Sequence, residues 1–228
     1  PKWLTGNFVP SAFVLLLLRM VLVLAQQHID SAAQQLTQYA IVLVDLLFSA
    51  GLVAFAWITL QLQKKRKRKV RDSHQQFWKV ACYGLIAAVL GWWGAYPIAE
   101  PVVKELALFL SAVLFIACFV MPVVTGMLYK IVAFLIWFHL QGLNTDRMMA
   151  GKPAIKVPHM KAVIAEKQVK GQLRVLYLAM LVTPLLVVWP QWFSIPAGLA
   201  WTAHFSVMLF NLVCAYRDYL ECASAGAE

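Results

Sequence analysis

Catalytic signatures are absent from this sequence. It contains no G-x-S-x-G, no H-E-x-x-H and no phosphate-cradling P-loop, so hydrolase and ATPase chemistry find no support. The four cysteines, Cys82, Cys118, Cys214 and Cys222, form no C-x-x-C pair, which leaves a thiolate metal site without a basis. None of them falls in a connection expected outside the membrane, so disulfides are not expected. Charged residues are scarce as well, at 13% of 228 residues, while apolar residues make up 62%. That balance describes a polytopic membrane protein rather than a soluble domain with a large core.

An apolar run of about 20 residues crosses the hydrocarbon layer as a helix. Six such runs are present, at roughly 8–26, 38–62, 77–97, 104–128, 173–190 and 196–216. They fill nearly the whole chain and predict an all-α architecture, a single transmembrane helical bundle over 1–228. The run behind Lys2 has only Ala25, Gln26, Gln27 and His28 after it, a poor cleavage site, so a retained helix is expected rather than a signal peptide. The sequence starts at Pro1 without methionine, which suggests a processed chain or part of a longer one.

Charge then sets the orientation. Residues 64–71 read Lys64, Lys65, Arg66, Lys67, Arg68, Lys69, Val70 and Arg71, a basic block between the second and third runs. With this block in the cytoplasm and the spans alternating, 18 of the 20 lysines and arginines fall on the cytoplasmic side; Arg19 and Lys104 are the others. Both termini are therefore expected inside, on the cytoplasmic face. The net charge of +10 reads as a topology signal that also holds anionic lipid head groups, and nucleic acid is not expected as a partner. Trp92, Trp93, Tyr96, Trp189 and Trp192 supply an outer aromatic belt, and Trp3, Trp78, Tyr129, Trp137, Tyr216 and Tyr219 an inner one.

Prolines and glycines punctuate the runs. Pro97 and Pro101 bracket one short outer turn, and Pro190 and Pro196 the other, so each joins an antiparallel hairpin. Residues 102–141 stay apolar without loop residues, interrupted by Pro122 and Gly126. Splitting this stretch into two spans would carry the basic 142–170 segment to the wrong side. One long kinked helix is expected instead, with 127–141 leaving the membrane or lying along its inner face. Pro158 is expected to start the next helix, kinked at Pro184 and weak at Gly171. The spacings Gly84-x-x-x-Ala88 and Gly91-x-x-x-Ala95 predict a helix-packing face.

Ionisable groups inside the bilayer are costly, which makes Arg19, Asp45 and His204 the candidate ligand or ion-pathway residues. Counted from the outer end of each predicted span they lie at about the same depth. An Arg19–Asp45 pair would neutralise two costly charges, and His204 would extend it. Such a cluster either locks helices together or serves as a proton relay or anion site. Haem is the alternative cofactor, but His204 has no histidine partner at its depth, and His28 lies in an outer connection. His74, His139 and His159 match no metal spacing and read as interfacial histidines.

Residues Met127, Leu128, Tyr129, Lys130, Ile131, Val132, Ala133, Phe134, Leu135, Ile136, Trp137, Phe138, His139 and Leu140, followed by Val157, Pro158, His159, Met160 and Lys161, resemble an M-L-Y-K-I-V-P-F-L-x-W-F-H-L … V-P-x-M-K pattern. That pattern occurs in multi-spanning bacterial membrane proteins, some of which are distantly similar to haem-copper-oxidase catalytic subunits. The pattern's proline is Ala133 here, and the paired oxidase histidines are missing. The resemblance implies half of such a bundle, without its redox centre. The resulting expectation is a non-enzymatic, cofactor-free subunit or accessory component of a larger membrane assembly, respiratory if the resemblance extends that far, with other membrane subunits as partners. A small transporter or channel using Arg19, Asp45 and His204 is the alternative, and a haem-binding redox protein the second alternative.

Overall fold

The computed structural model describes residues 2–27, 31–65, 73–155, 157–160 and 162–224. All regular structure among them is helical: α1 (Lys2–Gln26), α2 (Ser31–Lys64), α3 (Ser73–Ala95), α4 (Pro101–Leu114), a π-helical turn (Phe115–Val120), α5 (Met121–Met149), α6 (Glu166–Val188) and α7 (Pro190–Ser224). Six helical segments are long and apolar enough to cross a membrane, because α4, the π turn and α5 run on as one segment, Pro101–Met149. The polytopic helical architecture is thus present. The chain divides into two compact units, Pro1–Lys64 and Lys65–Glu228.

The first unit is a helical pair held by rungs at regular intervals. Gln26 Nε2 donates to Gln38 Oε1 at 3.1 Å, and seven residues along each helix Arg19 meets Asp45. Beyond them Phe8 stacks on Phe55 with ring centroids 5.1 Å apart. Seven residues are close to two helical turns, so the rungs share one face of each helix and α1 runs antiparallel to α2.

The second unit is built on close backbone approach. A Cβ at Gly84 would overlap the Cys118 carbonyl and sit 2.7 Å from the Cys118 Cβ, and a Cβ at Gly91 would lie 2.8 Å from Ser111 Oγ. Ala81, Ala88 and Ala95 on the same helix are buried. This small-residue stripe lets α3 press against α4 and the π turn, as the Gly84 and Gly91 spacings predict. Pro122 explains the turn itself. It offers no N–H to the carbonyl of Cys118 four residues earlier, and the backbone rearranges so that the Met121 N–H reaches back five residues to Ile116. The interruption expected at Pro122 and Gly126 therefore lies one turn upstream.

The core gathers where the start of α3, the middle of α5 and the start of α6 meet. Phe77, Tyr129, Ile136, Leu140, Leu173 and Leu176 pack there with Val163 and Ile164, and Val157 and Met160 lean on the same cluster. Both parts of the sequence pattern that began at Met127 thus meet in one core. The expected helix start at Pro158 is corrected: α6 begins at Glu166, and 157–160 and 162–165 are non-helical, held by the burial of Val163 and Ile164. Its approach is fixed by a Schellman closure of α5. Gly151 takes φ +71°, its N–H donates to Met148 O at 3.1 Å, and the Lys152 N–H reaches Arg147 O at 3.0 Å. Asn144 Oδ1 then accepts the Ile155 N–H at 2.8 Å. At the start of α6 the Gln168 side chain accepts the Ala165 N–H at 3.1 Å.

Two further expectations change. Helix α6 is unbroken through Gly171, and Pro196 lies inside α7 rather than at a turn. The α6–α7 connection is Trp189 alone, because Pro190 suits the first helical position, where no N–H is required.

Candidate functional site

Each unit carries one polar cluster, and each is described within its own unit. In the first, Arg19 lies seven residues before the end of α1, about 10 Å along the helix. Its Nε donates to Asp45 Oδ1 at 2.6 Å. The Arg19 side chain remains 38% exposed and that of Asp45 15%, so the pair sits on the flank of the helical pair. A contact this short is a charge-assisted hydrogen bond between two groups that are each costly to leave uncompensated in an apolar setting.

In the second unit, His204 is completely buried among side chains that sequence reasoning did not connect to it. Gln172 Nε2 lies 2.8 Å from Nδ1 and also donates to the His204 carbonyl at 3.0 Å. A carboxamide nitrogen only donates, so Nδ1 accepts and the ring proton sits on Nε2. That proton faces Thr125 Oγ1 at 3.2 Å, and the threonine hydroxyl in turn donates to Met121 O at 2.8 Å. The chain of donors runs from Gln172 through the imidazole to the backbone just after the π turn. Gln172 Oε1 is buried without a partner among the described residues.

The same face of α7 continues the pattern. Trp201 Nε1 donates to Thr183 Oγ1 at 2.9 Å, and that hydroxyl donates to Ala179 O. Asn211 Nδ2 donates to the Tyr129 hydroxyl at 2.9 Å. Tyr129 is consequently a core residue, edge-on to Phe77, and not part of an inner aromatic belt. Near the end of the helix Tyr219 lies 3.4 Å from His139 Nδ1. Helix α7 is thus tied to α5 and α6 by hydrogen bonds spaced along its length.

Of the predicted site residues, Arg19 and Asp45 are in contact. His204 lies fourteen residues along α7, counted from Pro190, and its polar partners are Gln172 and Thr125. Lys64 closes α2 and Lys65 follows it, both exposed; Arg66, Lys67, Arg68, Lys69 and Arg71 lie outside the described residues, as does His28. All four cysteines are free thiols, and no three histidine, cysteine or acidic side chains converge as metal ligands among the described residues. Thr125 and Gln172 gave weak sequence signals, a threonine three residues after a proline and a glutamine among charged residues at a helix start. No protein family, curated protein or solved structure matches this chain.

Proposed function

We propose that this integral membrane protein is a cofactor-free subunit of a larger assembly in a bacterial inner membrane, with anionic lipids and other membrane subunits held at its basic connections. One observation carries the reading: the buried polar side chains of the second unit are engaged in fastening helices to each other. Both ring nitrogens of His204 face Gln172 and Thr125, so an iron ligand there would have to displace one of them. Asn211 and Trp201 are committed to Tyr129 and Thr183 in the same way. Such a unit is a scaffold, and the pattern beginning at Met127 fits a respiratory setting for it. Helix α1 adds to the case, because none of its residues from Gly6 to Gln26 is buried, and their apolar side chains suit lipid or neighbouring helices.

Isolation of the full-length protein from native membranes in mild detergent tests the proposal. The expected product is a stoichiometric complex well above the 25.6 kDa chain, with no Soret band from this subunit when it is purified alone. Recovery only as the isolated chain, under conditions that preserve other membrane complexes, would overturn the assembly; a Soret band from the purified chain would overturn the cofactor-free assignment. The Arg19–Asp45 pair on the flank of the first unit is the one feature that favours a transporter or channel instead. Ion flux through vesicles holding the purified chain alone, lost in Asp45→Asn, would establish that second reading.

A further inference from the structure

The segment Pro101–Met149 is 49 residues of continuous helix, about 73 Å at 1.5 Å per residue. A bilayer is roughly 40–45 Å thick with its head groups, and a helix at the usual tilt of about 20° uses some 32 residues to cross it. On a straight path from Pro101 the helix would leave the far head groups near residue 132. The next turns are nonetheless apolar on both sides. Tyr129, Ala133, Ile136 and Leu140 face the core, while Leu135 and Phe138 on the opposite side are 56% and 63% exposed and Phe134 stacks on Phe138 at 5.8 Å. His139, beside Tyr219, is the one ionisable side chain between 132 and 140, and a helix so nearly apolar all round belongs in a membrane or a core, not in water. Polarity changes abruptly one turn later, where Gln141, Thr145 and Asp146 are exposed.

We propose that residues 127–140 form a membrane-surface segment: Ile131, Phe134, Leu135 and Phe138 sink into the boundary between head groups and acyl chains at the basic end of the second unit, with Lys130 at the anionic phosphates. The exposed face is continuous with the exposed Ile116, Val124 and Met127 on the preceding turns, which by the same count from Pro101 fall within the bilayer, so lipid covering those residues would extend over the segment. Lys130 is exposed and lies four residues before Phe134, on the side an anionic surface attracts. The π turn and Pro122 stand where a helix can change direction between the two parts of the segment.

The test uses the purified full-length protein in vesicles of phosphatidylcholine and phosphatidylglycerol. Cys214 and Cys222 are replaced by serine, and single spin labels are placed through Phe134→Cys, Phe138→Cys and Thr145→Cys. Labels at 134 and 138 are expected to collide several-fold more with oxygen than with a water-soluble nickel complex, and the label at 145 the reverse. Nickel access at 138 equal to that at 145 overturns the proposal in favour of a water-exposed protrusion. Should the labelled variants lose their fold, a benzoylphenylalanine replacing Phe138 in otherwise unaltered protein separates the same two outcomes: lipid adducts support the segment, and adducts confined to protein contradict it.

Discussion

At the scale of single residues, the Arg19–Asp45 contact joins the two charges that lie within the apolar stretches of α1 and α2, whose remaining charged residues, Lys2 and Lys64, stand at the helix ends. Within a bilayer the exposed part of Arg19 faces lipid rather than water, and solvent then does little to screen the pair. Removing one partner leaves the other charge uncompensated, which costs about 3–5 kcal/mol in a buried setting. Thermal unfolding in detergent should therefore show large losses for Arg19→Leu and for Asp45→Leu, and substantial recovery in the double variant. Additive losses would mean that the two side chains do not support each other. This pair was legible in the sequence, because two opposite charges each lie seven residues inside the facing ends, 26 and 38, of successive apolar runs. The surroundings of His204 were not legible. Its span appeared to start at 196, since Pro196 reads as a turn residue, but a proline seven residues into α7 is accommodated and the helix begins at Pro190. Its partners come from two other helices, and only the packing of the second unit brings them together.

At the scale of elements, the close approach of α3 to the π turn rests on the absence of a side chain at Gly84. Gly84→Ala must push the Cys118 carbonyl away, and backbone cannot give as a flexible side chain does. A loss of about 1–3 kcal/mol is expected, as for an overpacked core. Gly94, on the same helix with nothing near its Cβ position, is the control: Gly94→Ala should be neutral or slightly stabilising in the same thermal assay. Equal effects at the two positions would show that the small-residue face is not a packing contact. The packing face was readable from the glycine and alanine spacing, and the unbroken 102–141 stretch from its lack of loop residues. The start of α6 was not, because Pro158 resembles a first helical position. Burial of Val163 and Ile164 outweighs that local signal and keeps 157–160 and 162–165 out of the helix.

At the scale of the whole molecule, six helical segments among the described residues are long and apolar enough to cross a membrane. The helices follow from hydrophobic length alone. Orientation depends on the positive residues of the connections, above all the 64–71 block and the 142–170 segment. Cysteine labelling with a membrane-impermeant reagent on intact cells is the most direct measurement of this arrangement, with one cysteine at a time placed at Ala99, in the exposed connection between α3 and α4, or at Ala150, exposed at the end of α5. The cysteine at 99 is expected to be modified from outside and the one at 150 only after the membrane is opened. Modification of 150 but not 99 in intact cells would invert the topology, and modification of both from outside would break the six-span arrangement.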